Sequence, residues 1–149
     1  MTDAASRTYP ARPFLAASVA VFRDGKVLLA ERASPPAALR FSLPGGLVEA
    51  GETLREAALR ELREETGVEA EIVCFNDHVE VIEPDADGRV AAHFVVASFV
   101  ARWIAGEGAV GPEARRILWV DPARIDGLDV TPRLGPLLSR AAVLLGAAS

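Results

Sequence analysis

The sequence is poor in cysteine, in long apolar runs and in excess positive charge. Cys74 is the only cysteine among 149 residues, so no disulfide can form within the chain and no cysteine-based metal site exists. No apolar run approaches the roughly 20 residues that a membrane-spanning helix requires. The net charge of −5 disfavours a protein that binds nucleic acid through many phosphate contacts. A free thiol in a mildly acidic chain is expected in the cytoplasm.

The first residues also lack the features of a targeting segment. MTDAASRTYPARPF has no apolar core of the kind that a signal peptide carries. Residues 1–12 are small and polar and include one proline, and we expect them to form a flexible tail. Residues 13–149 are expected to form a single domain, because 50% of the chain is hydrophobic and 25% is charged, as in soluble globular proteins.

Hydrophobic patterning predicts strands, a helix, further strands and a second helix. The strand-like runs are 14–22, 27–32, 69–83, 89–105 and 116–120, and Asp24-Gly25 is a hairpin signal between the first two. Residues 41–52, with three glycines and a proline, are predicted to be a loop. Residues 53–66 have helical composition, and Gly67 is the expected stop.

The C-terminal part carries two further helix signals. DPARI, 121–125, begins with an N-cap aspartate followed by proline at the first helical position. From Thr131 a second helix is predicted by apolar residues at helical spacing: Leu134, Leu137, Leu138, Ala141 and Leu145. Their stripe is expected to pack on a sheet, with a dimer contact as the alternative. The order of elements predicts a mixed sheet covered by helices, an α/β or α+β domain.

The helix predicted over 53–66 has an unusual arrangement of charge. Glu61, Glu64 and Glu65 lie at helical neighbour spacing, where like charges repel by about 0.2–0.5 kcal/mol per pair. On a helical wheel they continue the apolar stripe of Leu54, Ala57 and Ala58. The opposite, polar side carries Arg55, Glu56, Arg60, Arg63 and Thr66, with Leu59 as a misfit and Leu62 at the flank. Charges on the side that meets the fold are costly unless they are paired or bound to metal.

Two interpretations of this acidic face follow from the residues alone. Arginines in the helix or elsewhere could neutralise the glutamates in surface salt bridges, which is usual for a helix rich in Glu and Arg. Alternatively, the carboxylates form a cage for a hard divalent cation such as Mg²⁺, which prefers oxygen ligands. The preceding loop, PGGLVEAGE, favours the cation, because glycine lets the backbone approach a ligand closely.

The same stretch resembles the Nudix box, GX5EX7REUXEEXGU, in which U is a bulky aliphatic residue. Gly46, Glu52 and residues 60–68, RELREETGV, fill every fixed position of that pattern. The lead-in FSLPGG is also similar to the usual one, with Phe41 where many members have Trp. The length of the chain and its order of elements agree with the resemblance, but no other segment carries a motif of comparable strength.

The resemblance to Nudix enzymes implies an α/β/α sandwich with a mixed central sheet. It implies cleavage of the pyrophosphate bond of a nucleoside diphosphate linked to another group, by attack of water on phosphorus with Mg²⁺ or Mn²⁺ as cofactor. The implied metal ligands are Glu61, Glu64, Glu65 and the carbonyl of Gly46. Glu52 is expected beside this set or at a further metal, and Arg60 is expected to hold a box glutamate by an ion pair.

One carboxylate is expected to accept the proton of the attacking water. Glu64 is our choice within the box. Glu113, in the loop before LWV, is the candidate outside it, with an exposed loop carboxylate as an equally good interpretation, and Glu107 is a weaker candidate. For the substrate, Arg32 is expected to meet a phosphate and Phe41 to contact the nucleotide. Their alternatives are a solvated strand end and core packing.

Several functions are compatible with this resemblance. A hydrolase would act on ADP-ribose, another nucleotide sugar or a nucleoside triphosphate, and the sequence does not separate these substrates. A non-catalytic nucleotide-sensing domain would be expected to lose box carboxylates, whereas here all are intact. RNA-cap cleavage requires a basic surface, which the acidic balance disfavours. We therefore expect a small-molecule nucleotide substrate and neither a nucleic-acid nor a membrane partner. A homodimer stays open, because dimers are common among resembling enzymes.

Overall fold

The computed structural model of the protein describes residues 6–33, 39–109 and 114–148. The strands are β1 (Phe14–Arg23), β2 (Lys26–Arg32), β3 (Phe41–Ser42), β4 (Gly45–Leu47), β5 (Glu69–Pro84), β6 (Val90–Ala105) and β7 (Ala114–Val120). The helices are α1 (Leu54–Thr66) and α2 (Leu134–Ala147). The predicted alternation of strands and helices is therefore confirmed for the described part of the chain.

Within these residues the strands form one mixed sheet. Their order is β3-β2-β1-β6-β5, with β4 paired to β1 and β7 paired to β2. Strands β1 and β6 run parallel, and the other strand pairings are antiparallel. The segment predicted as a loop over 41–52 contains two short strands, because β3 pairs with β2 and β4 pairs with β1.

The two helices lie on opposite faces of the sheet. Val19 and Val21 of β1 belong to a core that includes Leu62 of α1. Ala20, between them in β1, belongs to a second core that includes Leu138 of α2. Alternate residues of a strand point to opposite faces, so β1 contributes to both cores. This arrangement is the α/β/α sandwich with a mixed sheet that the resemblance implies.

The hairpin predicted at Asp24-Gly25 joins β1 to β2. Arg23 lies opposite Lys26 in the antiparallel ladder, which leaves a turn of two residues. Asp24 and Gly25 have φ values of 51° and 78°. A type I′ turn requires positive φ at both central residues, and its twist matches that of the flanking strands. The predicted hairpin is confirmed.

Helix α1 has well-defined signals at both ends. The side-chain oxygen of Thr53 accepts a hydrogen bond from the Glu56 N–H at 3.1 Å, and Glu56 Oε1 accepts one from the Thr53 N–H at 2.8 Å. This reciprocal pair is a capping box. At the other end Gly67 has φ 72° and its N–H donates to the Arg63 carbonyl. These ends fix which residues of the box lie on the helix.

Helix α2 confirms the predicted apolar stripe but not all of the predicted helical structure. Leu134, Leu138 and Ala141 are buried in the second core. The helix starts at Leu134, three residues after the predicted start, with Arg133 in the left-handed region at φ 72°. Segment 121–125 is not a helix, and this prediction was wrong.

The physical reason lies in the turn that follows β7. Asp121 does act as a local cap, since its Oδ1 accepts from the Ala123 N–H at 2.9 Å and its carbonyl accepts from the Arg124 N–H at 2.8 Å. The chain then turns so that Ile125 and Leu128 pack against the second core. A continued helix would not bring the chain back to the sheet in so few residues.

The segment expected to be a flexible tail makes specific contacts where the structure describes it. The Tyr9 hydroxyl donates to Asp85 at 2.7 Å, and the Tyr9 N–H donates to the Ala91 carbonyl at 2.9 Å. The guanidinium carbon of Arg89 lies 4.2 Å from the centre of the Tyr9 ring. Tyr9 therefore ties this segment to the turn between β5 and β6.

In the described part of the chain, neither helix is long and apolar enough to cross a membrane.

Candidate active site

Helix α1 packs one side on the sheet. Ala57, Ala58 and Leu62 are fully buried in the first core. Leu62 therefore belongs to the core-facing side and not to the flank where the helical wheel placed it. Leu59, the expected misfit, also packs against this core, because β5 flanks the helix on that side. The acidic residues lie beside this face.

The three predicted metal ligands differ in their burial. The side chain of Glu61 is 12% exposed and that of Glu64 is 59% exposed. Glu65 is buried, with 6% of its surface exposed. Two of the acids thus face the protein and the third reaches solvent at the rim, so a water molecule has ready access to Glu64.

Strand β4 brings Gly46 against the acidic side of α1. Gly46 lies opposite Ala17 in the antiparallel pairing of β4 with β1. A Cβ built on Gly46 would lie 2.5 Å from Glu61 Cδ and 2.6 and 2.7 Å from the two carboxylate oxygens. Only glycine leaves room for the carboxylate at this position. The structure therefore brings together Gly46 and Glu61, both named from the box.

Arg60 links the loop before α1 to the carboxylates of the helix. Its Nε and Nη2 donate to Glu52 at 2.6 and 2.9 Å, and Nη2 also donates to the Leu47 carbonyl at 3.0 Å. Its Nη1 donates to Glu61 at 2.9 Å and to Glu64 at 3.1 Å. The wheel placed Arg60 on the outer side of the helix, but its long side chain folds back into the site.

These ion pairs fix the charge states of Glu52 and Arg60. The hydrogen bonds from Arg60 hold the pKa of Glu52 at about 2, and the Glu49 N–H, 2.9 Å from Glu52 Oε1, acts in the same direction. In turn, the hydrogen bonds to Glu52 raise the pKa of Arg60. Both groups are charged at neutral pH, and Glu52 lies beside the candidate ligands with both oxygens bonded to Arg60.

The box carboxylates do not form a closed cage. Among the described residues, no three His, Cys, Asp or Glu side chains are grouped closely enough to hold a metal ion. The preformed cage that the sequence suggested is therefore absent from this part of the chain. The carboxylates do not gather around one point because they repel one another, and because Arg60 bonds both Glu61 and Glu64.

The residues present nevertheless fit a hard divalent cation. Mg²⁺ is usually bound by one or two carboxylates with several waters and substrate phosphates, and it does not need an all-protein cage. The side chains of Glu61, Glu64 and Glu65 supply only oxygen donors. The close approach of the Gly46 backbone to the Glu61 carboxylate is a second feature that suits such an ion.

Phe41, which the sequence offered as a contact for the nucleotide, lies in the protein core. Only 2% of its surface is exposed, and it belongs to the second core, on the α2 side of the sheet. Its backbone N–H donates to the Asp129 carbonyl, and its carbonyl accepts from the Thr131 N–H. A ring buried in this way is not available for stacking on a base, so Phe41 is corrected to a core residue.

Arg32 lies at the end of β2, half-buried, and its backbone pairs with Leu39 and Arg40. Nearby, sequence reasoning missed an ion pair in which Arg116 Nη2 lies 3.0 Å from Glu31 Oε2. Glu31 is buried although charged. The signal that could have identified it is a carboxylate at the end of the otherwise apolar run VLLAE.

The loop between β6 and β7 is attached to the end of α1. The Ala109 N–H donates to the Thr66 carbonyl at 2.8 Å. The indole N–H of Trp103 donates to the Gly106 carbonyl at 2.7 Å. Glu107 forms an ion pair with Arg23 at 3.0 Å, so it has a structural partner. Glu113, the candidate base outside the box, lies outside the described residues.

Comparison with known proteins decides the family. A model described as "NUDIX domain" matches residues 12–140. The chain belongs to the Nudix family. An ADP-ribose pyrophosphatase of Methanocaldococcus jannaschii is 35% identical over 109 residues, which are 73% of this chain and 62% of the relative. A CTP pyrophosphohydrolase of Escherichia coli is 42% identical over 69 residues, which are 46% of this chain and 49% of that relative.

A solved structure agrees with the fold of this Nudix chain. The MutT Nudix hydrolase from Burkholderia pseudomallei superposes with a TM-score of 0.76 at 27% sequence identity. The match covers 87% of this chain and 98% of the other. This chain spans 62% of the length of the Methanocaldococcus jannaschii relative and 49% of the length of the Escherichia coli relative.

Proposed function

We propose that this Nudix protein hydrolyses the pyrophosphate bond of a nucleoside diphosphate linked to another moiety. ADP-ribose is the first substrate to test, and nucleoside triphosphates are the second. The contact between the Gly46 backbone and the Glu61 carboxylate carries this proposal. It brings two separate parts of the box to one point, next to Glu64 and the guanidinium of Arg60.

The proposed cofactor is Mg²⁺ or Mn²⁺, held by Glu61, Glu64, Glu65 and the Gly46 carbonyl. When bound, such a cation neutralises phosphate charge and makes water easier to deprotonate. Phosphoryl transfer depends mainly on charge neutralisation and positioning, so a site made of carboxylates and backbone is sufficient. The spread carboxylates leave coordination positions for water and for the phosphates of the substrate.

We assign the role of general base to Glu64. It is the most exposed of the three acids, so water reaches it directly. Glu113 stays the second candidate. Arg60 and Glu52 position the ligands, because their ion pair joins the loop to the helix. Arg32 is the proposed phosphate contact, as a cation at the end of β2.

A non-catalytic nucleotide sensor is disfavoured, because all the box carboxylates are retained in the sequence. The free thiol of Cys74 is consistent with the reducing conditions of the cytoplasm, where we propose that the protein acts.

A substrate panel tests this proposal. ADP-ribose, a dinucleoside diphosphate and CTP are incubated with the protein and Mg²⁺, and the products are separated by anion exchange. We expect ADP-ribose to give AMP and ribose 5-phosphate, and Glu71→Gln, an exposed acid on β5, to behave like the wild type. Tight binding of ADP-ribose without cleavage of any panel member would instead identify a sensor.

A further inference from the structure

The guanidinium of Arg60 serves two sets of acceptors with different nitrogen atoms. Nε and Nη2 hold Glu52 and the Leu47 carbonyl with three hydrogen bonds of 2.6–3.0 Å. Nη1 alone bridges Glu61 and Glu64 at 2.9 and 3.1 Å. The first set anchors the side chain to the loop before α1, so the bridge can be released without loss of the anchor.

The bridged carboxylates are two of the metal ligands named above, so this inference rests on the proposed function. A cation that binds Glu61 and Glu64 meets a fixed positive charge within hydrogen-bond distance of both. Charges a few ångströms apart interact strongly at a partly buried site. The cation also competes with Nη1 for the same acceptor oxygens.

We propose that Arg60 is a positioning residue that competes with the divalent cation for Glu61 and Glu64. Its Nη1 keeps the two acids ordered and charge-balanced before the cation binds, and it releases them when the cation takes their oxygens. Its Nε and Nη2 remain on Glu52 throughout. Arg60 thereby weakens cation binding by the protein alone, so that the cation is held well only when substrate phosphates add further ligands.

The charges around Arg60 give the direction of the effect. Four carboxylates lie within 4 Å of its guanidinium nitrogens: Glu49, Glu52, Glu61 and Glu64. Removal of the positive charge leaves these acids unbalanced, and a divalent cation then becomes their best counter-charge. A residue that merely orients the ligands would have the opposite effect, because its loss would disorder the site and weaken cation binding.

Direct measurement of Mn²⁺ binding without substrate tests the proposal. Free Mn²⁺ is followed by electron paramagnetic resonance during titration of the wild type, Arg60→Gln and Arg63→Gln. Arg63 is an exposed arginine one helical turn away, and its loss changes the net charge by the same amount. We expect Arg60→Gln to bind Mn²⁺ roughly tenfold more tightly than the wild type, whereas Arg63→Gln changes the affinity by less than about twofold.

Arg60→Lys is the second variant, because it keeps a positive charge beside Glu52. Circular dichroism checks that each variant is folded. Lysine keeps one charge but cannot hold Glu52 with two nitrogens and also bridge Glu61 and Glu64. Its Mn²⁺ affinity is expected to lie between those of the wild type and Arg60→Gln.

The outcomes separate this inference from the function on which it rests. Saturable Mn²⁺ binding by the wild type, with equal or weaker binding by Arg60→Gln and Arg60→Lys, would overturn the competition but leave the metal site in place. Equal tightening by Arg63→Gln would show that net charge alone is responsible and would also overturn it. Absence of saturable Mn²⁺ binding by the wild type and both Arg60 variants would overturn the metal site and the inference together.

Discussion

The backbone of Gly46 lies so close to the carboxylate of Glu61 that no side chain fits between them. This contact joins the middle of β4 to the middle of α1, two segments that are separated by the loop before the helix. It depends on the pairing of β4 with β1, which fixes Gly46 opposite Ala17. The neighbouring Gly45 is also tightly packed, but against the backbone of Ala17 and Ser18.

Alanine at these two glycines is predicted to have different effects. In Gly46→Ala the new Cβ meets the end of a flexible side chain, so the Glu61 carboxylate moves away while the fold is retained. Displacement of a catalytic group by about 1 Å can reduce turnover by about 100-fold, and we expect a loss of that order in ADP-ribose hydrolysis. In Gly45→Ala the Cβ meets backbone, and we expect a loss of stability of about 1–3 kcal/mol in urea denaturation.

Gly135→Ala is the control for both variants, because Gly135 lies in α2 and its Cβ would contact nothing within 4 Å outside its own helix. It should retain activity and gain stability, since alanine favours a helix over glycine. Normal turnover by Gly46→Ala would remove the contact with Glu61 from the account of the site.

Glu64→Gln is predicted to lower turnover by orders of magnitude and to leave the fold intact. Glutamine keeps the size of the side chain but cannot act as a base. The side chain is largely exposed, so the cost in stability is small. Steady-state hydrolysis and thermal unfolding of the same preparation give both quantities. Wild-type turnover by this variant would shift the role of base to another residue, with Glu113 as the next to be changed.

Thr53→Ala is predicted to destabilise the protein by about 1 kcal/mol, because it removes the N-cap of α1. Glu56→Gln should cost less, since glutamine can still accept from the Thr53 N–H. The hydrogen bond from the Thr53 backbone lowers the pKa of Glu56 below its ordinary value of 4.5. The stabilisation that the charged Glu56 carboxylate supplies is therefore present above pH 4.5, and it is lost as the pH falls through the lower pKa of the folded state. Urea denaturation at several pH values measures this loss, and a pH-independent difference between Glu56→Gln and the wild type would contradict it.

Divalent cations are predicted to raise the melting temperature of the wild type. A ligand that binds only the folded state stabilises it by about 1.4 kcal/mol at ten times its dissociation constant. For a domain of this size each kcal/mol corresponds to about 2–4 °C. Differential scanning calorimetry with and without millimolar Mg²⁺ measures the shift. Glu61→Gln should show a smaller shift, and a response equal to that of the wild type would place the cation elsewhere.

Local signals predicted those parts of the fold that depend on neighbouring residues in the sequence. Asp24-Gly25 defined a two-residue turn, Gly67 defined the end of α1, and the leucines of α2 defined its buried stripe. The helix predicted to begin at DPARI does not form, because an N-cap and a proline do not supply the apolar face that a helix needs. Ile125 is required by the second core instead.

The candidate site was predictable in composition but not in geometry. The box predicted that Gly46 and Glu61 belong to one site, and the two residues are in contact. A helical wheel shows the direction of each Cα–Cβ bond, but it does not show that Arg60 bends back to bridge Glu61 and Glu64. The sequence left Phe41 open between nucleotide contact and core packing, because its burial depends on α2, which comes from the far end of the chain.

Hydrolysis of ADP-ribose in water enriched in oxygen-18, with Mg²⁺ present, tests the central claim most directly. If water attacks phosphorus at the box, mass spectrometry will find AMP and ribose 5-phosphate, with one labelled oxygen in a phosphate of one product. Glu64→Gln should form labelled products at a rate that is lower by orders of magnitude. Absence of cleavage of ADP-ribose, CTP and the dinucleotide by the wild type, or release of ADP with the label in ribose, would contradict the account.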